Sequence, residues 1–232
     1  MTAGLDLVLA EVAAASQQIR DAVRDATAGQ LAADSPLPDW TRSHVVAHIS
    51  GFSHGMARQF EYALRGEQIE QYTGGVEGRN AEIESLAALT VDKLKAAAGD
   101  ALDRMAAAID SMGEPDWERP ISYRQGDAFG GLEAAWREYA IHLVDLDLGA
   151  TISAWTPAFC DHLFDFLAPR VPADVTLVLP SGQRVGSGAD PVEVTGTDQD
   201  IAAWLAGRMP PGPVTFSTGQ TPVLEGWPAR KN

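Results

Sequence analysis

The sequence predicts an α+β fold in which an N-terminal four-helix bundle, residues 1–150, precedes a small α+β domain, residues 151–232. Two observations lead to this division. Four segments of the first part repeat apolar residues at the three- and four-residue spacing of a helix that packs on a core. From Thr151 onwards, short β-branched runs bounded by glycine, proline and aspartate replace that pattern and predict strands.

The first two helices are predicted on either side of a proline-containing break. Residues 3–28 form the first, because one face collects the apolar residues Leu5, Val8, Leu9, Val12, Ile19 and Val23. The segment ADSPLPDW then ends the pattern, since proline interrupts helical hydrogen bonding. A second helix is expected to begin near Thr41, capped by Asp39 or Thr41, and to run to about Leu64. Its mainly core-facing side carries His44, His48, Phe52 and Met56.

The connection after the second helix is predicted to be irregular. It contains glycines at positions 66, 74, 75 and 78, and we expect a substrate-facing loop that ends at Arg79. Thr90 is then the expected N-cap of a third helix that ends near Gly113. A loop with room for a brief strand pair follows, and a fourth helix over residues 131–148 completes the bundle.

The second domain is predicted to mix short strands with two helices. A short helix should run from Pro157 to about Leu167. The expected strands lie in VTLVLP, QRVGSG, VEVTGT and PVTFSTG. Between the last two of these, DQDIAAWLAGR has the composition of a capped helix.

Glu138 and His142 are the residues whose spacing most directly indicates chemistry. On a helix, residues four apart lie one turn apart on the same face, so both can reach one metal ion while His48 on another helix completes the set. Three protein ligands leave the fourth position of a zinc ion open, which is the catalytic arrangement. An E-x-x-x-H pair is common without a metal, and spacing alone leaves His44 as a competitor of His48, with His54 and His162 unassigned.

Composition excludes several classes of protein. The chain has 32 acidic and 17 basic residues and a formal charge of −15, which argues against a nucleic-acid backbone as a partner. It has no apolar run long enough to span a membrane and no basic signal-peptide start, so we expect no membrane association. Its single cysteine excludes an intramolecular disulfide and suits a reducing interior. The expected location is cytoplasmic, as a monomer or small homo-oligomer.

Three stretches of the predicted bundle resemble signatures of the mycothiol-dependent maleylpyruvate isomerase family. They are WTRSHVVAHIS at 40–50, EGRNAEIE at 77–84 and WREYAIHLVDLDLG at 136–149. In addition, AGRMPPGPVTFSTG at 206–219 is similar to the segment that closes the family's smaller C-terminal domain. The likeness therefore runs through nearly the whole chain, and it implies a DinB-like metal-binding bundle followed by that domain.

The resemblance also implies which residues form the site. Zinc would be held by His48, the second histidine of its motif, and by Glu138 and His142, which leaves His44 as a structural residue. Two catalytic arginines, Arg79 and Arg208, would face an acidic substrate. Their planar guanidinium groups match carboxylates with two parallel hydrogen bonds, which lysine does less well.

The implied cofactors are Zn²⁺ and mycothiol. In the implied mechanism the mycothiol thiolate adds to the double bond of maleylpyruvate, the resulting single bond rotates, and elimination releases fumarylpyruvate. A zinc ion with an open position suits this chemistry, because it lowers the pKa of a bound thiol. The lone thiol of the chain, Cys160, lies in an apolar helical run and is expected to be a buried core residue, so the thiol should come from outside.

Three alternatives remain open at this point. The first is a mycothiol S-transferase or a secondary-metabolism enzyme that keeps the metal and the thiol without requiring a dicarboxylate. The second is a relative that uses the scaffold for a reaction without a thiol. The third is a non-catalytic binding protein in which the metal only fastens helices together. A fourth protein ligand would favour the third alternative, whereas an open position beside Arg79 and Arg208 would favour the isomerase.

Overall fold

The computed structural model describes residues 4–228, which form two compact units, residues 4–150 and residues 151–228. The first unit is helical and the second combines helices with one small sheet. The predicted α+β class is therefore confirmed. No helix in the described range is both long enough and apolar enough to cross a membrane.

Six α-helices are described in the N-terminal unit. They are α1 (Leu5–Asp25), α2 (Ala28–Ala32), α3 (Arg42–Ala63), α4 (Gly75–Ala87), α5 (Val91–Asp110) and α6 (Ala128–Asp145). The four long helices α1, α3, α5 and α6 pack against one another as a bundle, with α3 beside α5 and α6, and α1 beside α6. Fully buried aromatic side chains fill the interior, among them Trp136, Tyr139, Phe52 and Phe60.

Helices α3 and α6 approach closely because a glycine lies between them. A Cβ atom at Gly131 would lie 2.9 Å from Cδ1 of Ile121 and 3.0 Å from both Sδ of Met56 and Cε1 of Phe60. These contacts are shorter than Cβ atoms normally make in a close-packed interior, so a side chain here would require its neighbours to move. Glycine at this position therefore allows close packing between the two helices that carry His48 and Glu138.

The segment around Arg79 is a helix, which corrects the prediction of an irregular loop ending at that residue. Gly74 begins it with φ of 79°, a conformation that glycine adopts without strain. Gly78 lies so close to the backbone of Thr73 that a Cβ there would overlap the carbonyl carbon and oxygen. These glycines permit a tight entry into α4, so their clustering was wrongly taken to indicate a loop.

Other helix boundaries shift by a few residues. The first helix, predicted over residues 3–28, ends at Asp25, and the separate short helix α2 follows from Ala28; residue 3 lies outside the described range. The fourth begins at Ala128 because Asp127 accepts a hydrogen bond from the Gly130 amide at 2.8 Å and caps it. The brief strand pair expected before it is reduced to one antiparallel bridge between Pro120 and Asp127.

The C-terminal unit contains α7 (Pro157–Leu167), α8 (Asp198–Leu205) and the strands β1 (Val175–Val178), β2 (Arg184–Gly186), β3 (Asp190–Thr195) and β4 (Thr215–Phe216). The sheet order is β2-β1-β3-β4. Strands β1 and β3 are parallel, with Leu177 opposite Val192, and the outer pairs are antiparallel. Thr197 caps α8 by accepting a hydrogen bond from the Asp200 amide at 3.1 Å.

Candidate metal centre

Three side chains from two helices converge in the bundle core. Nε2 of His48 on α3 lies 2.9 Å from Oε2 of Glu138 on α6, and Nε2 of His142 lies 3.2 Å from the same oxygen. The two imidazole rings meet edge to face with their centroids 4.5 Å apart. One ligand atom from each residue lies within 4.8 Å of the others. The structure thus brings together the residues that the sequence proposed as metal ligands.

The local sequence explains why these side chains point inward. Glu138 and His142 are one turn apart on α6, a helix that is buried on most sides by residues such as Ala134, Ala135 and Trp136. His48 lies on the buried side of α3, and its side chain is 5% exposed. The side chain of Glu138 is 29% exposed, which leaves one side of the cluster open to solvent. The opening gives a ligand from solution access to the carboxylate.

The electrostatics of the cluster favour an ionised Glu138. Burial alone would raise the pKa of this carboxyl, but hydrogen bonds from His142 and His48 outweigh burial and hold the pKa well below its usual value. Burial, together with the neighbouring His142, lowers the pKa of His48 to about 4. Burial also acts to lower the pKa of His142, yet hydrogen bonds with Asp145 and Glu138 raise it overall. The two histidines are therefore not equivalent.

Asp145 orients one of the imidazoles from behind. Its Oδ2 lies 2.8 Å from Nδ1 of His142, and the residue is 1% exposed. A carboxylate at Nδ1 keeps the proton on that nitrogen and leaves Nε2 facing Glu138. Histidines that bind metals usually have such an acceptor at the second nitrogen. Although Asp145 is the last residue of α6, the structure places its carboxylate in the core and not among the solvated acids.

Arg79 reaches the cluster from α4. Its Nη2 lies 3.1 Å from Nδ1 of His48, and because a guanidinium group only donates, the imidazole accepts here. In that arrangement the ring proton of neutral His48 is on Nε2. A neutral imidazole that binds a metal through Nε2 carries its proton on Nδ1. The guanidinium group of Arg79 has no lone pair to accept that proton, so two donors would face each other. Contact with Arg79 and metal ligation through Nε2 therefore exclude each other.

The other histidines lie outside the cluster. Nδ1 of His44 is 2.7 Å from Oγ1 of Thr41 and accepts from the Thr41 amide at 3.1 Å, so the ring caps the start of α3. Nε2 of His54 accepts from Nη1 of Arg104 at 2.6 Å. His162 belongs to the C-terminal unit, where it stacks on Phe159 and Phe166. Contacts of this kind give each ring a local structural role.

Arg208 belongs to the C-terminal unit, and its Nη1 donates to the Ala206 carbonyl at 2.8 Å. The residue is half-buried and follows α8. Its expected role toward a substrate carboxylate therefore stays a prediction.

Cys160 is fully buried on α7, and burial, aided by the charges of Asp198 and Asp161, raises the pKa of its thiol to about 12. The expectation that Cys160 is a core residue is confirmed.

Trp40 is a neighbour of the cluster that the sequence did not single out. Its ring centroid is 5.6 Å from that of His48 and 6.3 Å from that of His44. Trp40 precedes α3, where helical periodicity gives no direction for a side chain. In the sequence, the only indication that Trp40 lies near the cluster is its position in the same motif as the two histidines.

The donor set fits a zinc ion. With metal–nitrogen bonds of about 2.0–2.1 Å, ligand atoms of a tetrahedral site lie about 3.3 Å apart. The distances of 2.9 Å and 3.2 Å from the Glu138 oxygen to the two imidazole nitrogens are close to this spacing. Within residues 4–228 the cluster comprises three potential ligands, so a fourth position remains for water or a thiol. This composition is typical of catalytic zinc sites.

The fold and the site define a helical-bundle protein with a His/Glu/His cluster in its core and a small α+β domain at its C-terminal end. The family model described as the mycothiol maleylpyruvate isomerase N-terminal domain matches residues 12–147, and the one described as the MDMPI C-terminal domain matches residues 154–226. The chain belongs to the mycothiol maleylpyruvate isomerase family, as its motifs predicted. No curated protein matches the sequence.

Two solved structures are similar to nearly the whole chain. One is a crystal structure of the mycothiol-dependent maleylpyruvate isomerase, and the other is a histidine-to-alanine mutant of that isomerase. Each has a TM-score of 0.87 and 26% sequence identity, with 97% of this chain and 98% of the other covered. The similarity therefore includes both the bundle and the C-terminal domain.

Removing any one of the three clustered side chains should weaken zinc binding. We expect His48→Ala, Glu138→Ala and His142→Ala each to reduce the zinc content from about one ion per chain to a small fraction, because two ligands make an incomplete site. His44→Ala is the matched control and should keep the ion, since that ring caps α3. Elemental analysis of the folded variants measures this, and loss of zinc from His44→Ala alone would contradict the assignment.

The pKa of His48 predicts how stability depends on pH when zinc is removed with a chelator. Between an unfolded pKa of 6.5 and a folded pKa of about 4, the unfolded chain binds more protons. The stability that His48 contributes is thus complete above pH 6.5 and is lost as the pH falls toward 4. His142, whose pKa is raised, contributes with the opposite sign and loses its part as the pH rises.

Urea unfolding of the chelated protein across this range, compared with His48→Gln, measures the effect. We expect the free energy of unfolding of the unmodified chain to fall more steeply on acidification than that of His48→Gln, which has no imidazole to protonate at this position. Equal slopes for the two proteins would show that His48 is not held neutral by burial.

Proposed function

We propose that the protein is a zinc- and mycothiol-dependent cis–trans isomerase that converts maleylpyruvate to fumarylpyruvate or acts on a similar unsaturated acid. The observation that carries this proposal is the open His48/Glu138/His142 cluster in the core of a chain that belongs to this family. When bound, zinc would lower the pKa of the mycothiol thiol, and reversible addition of the thiolate to the conjugated double bond would allow rotation.

The residues of the chain have separate tasks in this proposal. His48, Glu138 and His142 would hold the ion, and Asp145 would fix the tautomer of His142 through its hydrogen bond at 2.8 Å. Arg79 would bind a carboxylate of the substrate at the edge of the site. It is well placed for this because ligation of zinc by His48 ends the contact between Arg79 and Nδ1. Arg208 would hold the other carboxylate.

An external thiol is required because Cys160 is unsuited to be the nucleophile. Its thiol is fully buried and its pKa is raised to about 12, so the thiolate is scarce at neutral pH. We expect Cys160→Ser to retain activity, whereas dialysed enzyme should isomerise maleylpyruvate only after mycothiol is added. The change in absorbance as maleylpyruvate is consumed measures this. Equal turnover with and without added thiol would refute the role of mycothiol.

The arginines can be tested with lysine, which keeps the charge and removes the planar fork. We expect Arg79→Lys and Arg208→Lys each to lower kcat/KM for maleylpyruvate by about 1.5–3 kcal/mol, or about ten- to 150-fold, the scale of a charged hydrogen bond. Zinc content and melting temperature should stay unchanged.

A neutral electrophile serves as the matched substrate for the same variants. The loss of kcat/KM should be much smaller with this substrate, because it has no carboxylate for the arginines to bind. An unchanged kcat/KM for maleylpyruvate in both variants would remove these arginines from the mechanism. Efficient conjugation of the neutral electrophile, without isomerisation of the acid, would favour a mycothiol S-transferase.

A further inference from the structure

A polar cleft lies between α3 and α4, next to the metal cluster but not part of it. It has a volume of about 470 Å³, within the range of small-molecule sites. Its walls include Gly51 and Gly55 from α3 and Gly78 and Glu82 from α4. Gly51 follows His48 by three residues and Gly78 precedes Arg79, so the cleft begins about one helical turn from the cluster.

Two glycines one turn apart on α3 line the cleft. A Cβ at Gly51 would lie 3.4 Å from Oε2 of Glu82, and a Cβ at Gly55 would lie 2.8 Å from the carbonyl oxygen of Gln71. A side chain at Gly55 would displace the backbone of Gln71 in the loop before α4, whereas one at Gly51 would take up part of the cleft beside Glu82. The shape of the cavity therefore depends on these two residues of α3.

The charged groups that line the cleft are not used to hold the fold together. Within residues 4–228, neither the half-buried Arg58 nor the exposed Glu82 makes a hydrogen bond or an ion pair. By contrast, the nearby Arg104 is bound to both carboxylate oxygens of Glu61, at 2.8 Å and 2.7 Å. Burial and the charge of Arg104 lower the pKa of His54, so this ring at the rim is neutral at physiological pH.

We propose that this α3–α4 cleft binds the hydroxyl-rich part of the thiol cofactor, the glucosamine–inositol unit that carries the cysteine of mycothiol. This inference rests on the thiol dependence in the proposed function. A hydroxyl group both donates and accepts, and the cleft offers the donor Arg58, the acceptor Glu82 and the hydroxyl of Thr73. One cation and one anion balance, so the lining suits a neutral polyol better than a dicarboxylate, which Glu82 would repel.

The position of the cleft determines how far the thiol must reach from the bound polyol. His54 lies six residues beyond His48 on α3, a separation of about 9 Å along the helix axis. With the polyol bound beside His54, the cysteine arm would have to span about this distance to bring the thiol to the metal ligands.

Calorimetric titration with the N-acetylglucosamine–inositol unit, which has no thiol and is neutral like the amide-linked unit of the intact cofactor, tests this binding directly. We expect the zinc-loaded protein to bind it, and we expect Arg58→Gln and Glu82→Gln each to raise Kd at least tenfold. Arg65→Gln is the matched control, because Arg65 lies over the ring of Tyr62 and does not line the cleft. Thr73→Val is a second, smaller change that should also weaken binding, and circular dichroism verifies that each variant is folded.

Each outcome bears on one proposal only. An absence of binding at millimolar concentration, or a Kd that is unchanged in Arg58→Gln and Glu82→Gln, would overturn the cleft assignment. This holds even if the enzyme is a mycothiol-dependent isomerase. An increased KM for maleylpyruvate in Arg58→Gln with unchanged Kd for the polyol would instead make Arg58 a carboxylate site. Binding of the polyol by a protein that isomerises neither maleylpyruvate nor a similar unsaturated acid would support the cleft and refute the proposed function.

Kinetics with two different thiols gives an independent measure of whether the cleft recognises the polyol. In Arg58→Gln the ratio of kcat/KM with mycothiol to kcat/KM with N-acetylcysteine should fall at least tenfold, because only mycothiol carries the polyol. The ratio should be preserved in Arg65→Gln. An unchanged ratio in the cleft variants would exclude recognition of the polyol at this place.

Discussion

A carboxylate placed between two imidazoles in a helical core is the constraint on which this structure depends. A partly buried anion is unfavourable unless hydrogen bonds compensate for the water it has lost, and Glu138 receives that compensation from His48 and His142. Because His48 is on α3 and the other two are on α6, the compensation exists only when the two helices are in register. The same register gathers three metal ligands, so the polar core and the candidate metal site are one arrangement.

Helical periodicity was sufficient to predict the four long helices and the pairing of Glu138 with His142, because both follow from the regular geometry of one helix. It could not choose between His44 and His48. These residues are also one turn apart on one face, and the choice depends on their depth in the bundle. His44 lies in the first turn of α3 and caps it, whereas His48 is one turn further in and opposite α6. Depth is a tertiary property that spacing does not contain.

The helix α4 shows where local propensity fails. Glycine is unfavourable in a helix, and three glycines within five residues indicated a loop. In the structure Gly78 is required by the contact with Thr73, and Gly74 by a left-handed backbone conformation, so packing outweighs propensity. The consequence for function is direct, since Arg79 is held on a helix beside His48 and the cleft exists between α3 and α4.

Gly131 links the packing of the bundle to the accuracy of the site. Gly131 lies where α6 packs against Met56, Phe60 and Ile121. Glu138 lies seven residues further on, about 10 Å along the helix. A methyl group at Gly131 would require either these side chains to move or α6 to shift, and a tilt of a few degrees at this point would move the carboxylate by a sizeable part of an ångström. Tolerances at metal sites are of that order. The coordination geometry thus depends partly on the absence of a Cβ atom at Gly131, two helical turns from Glu138.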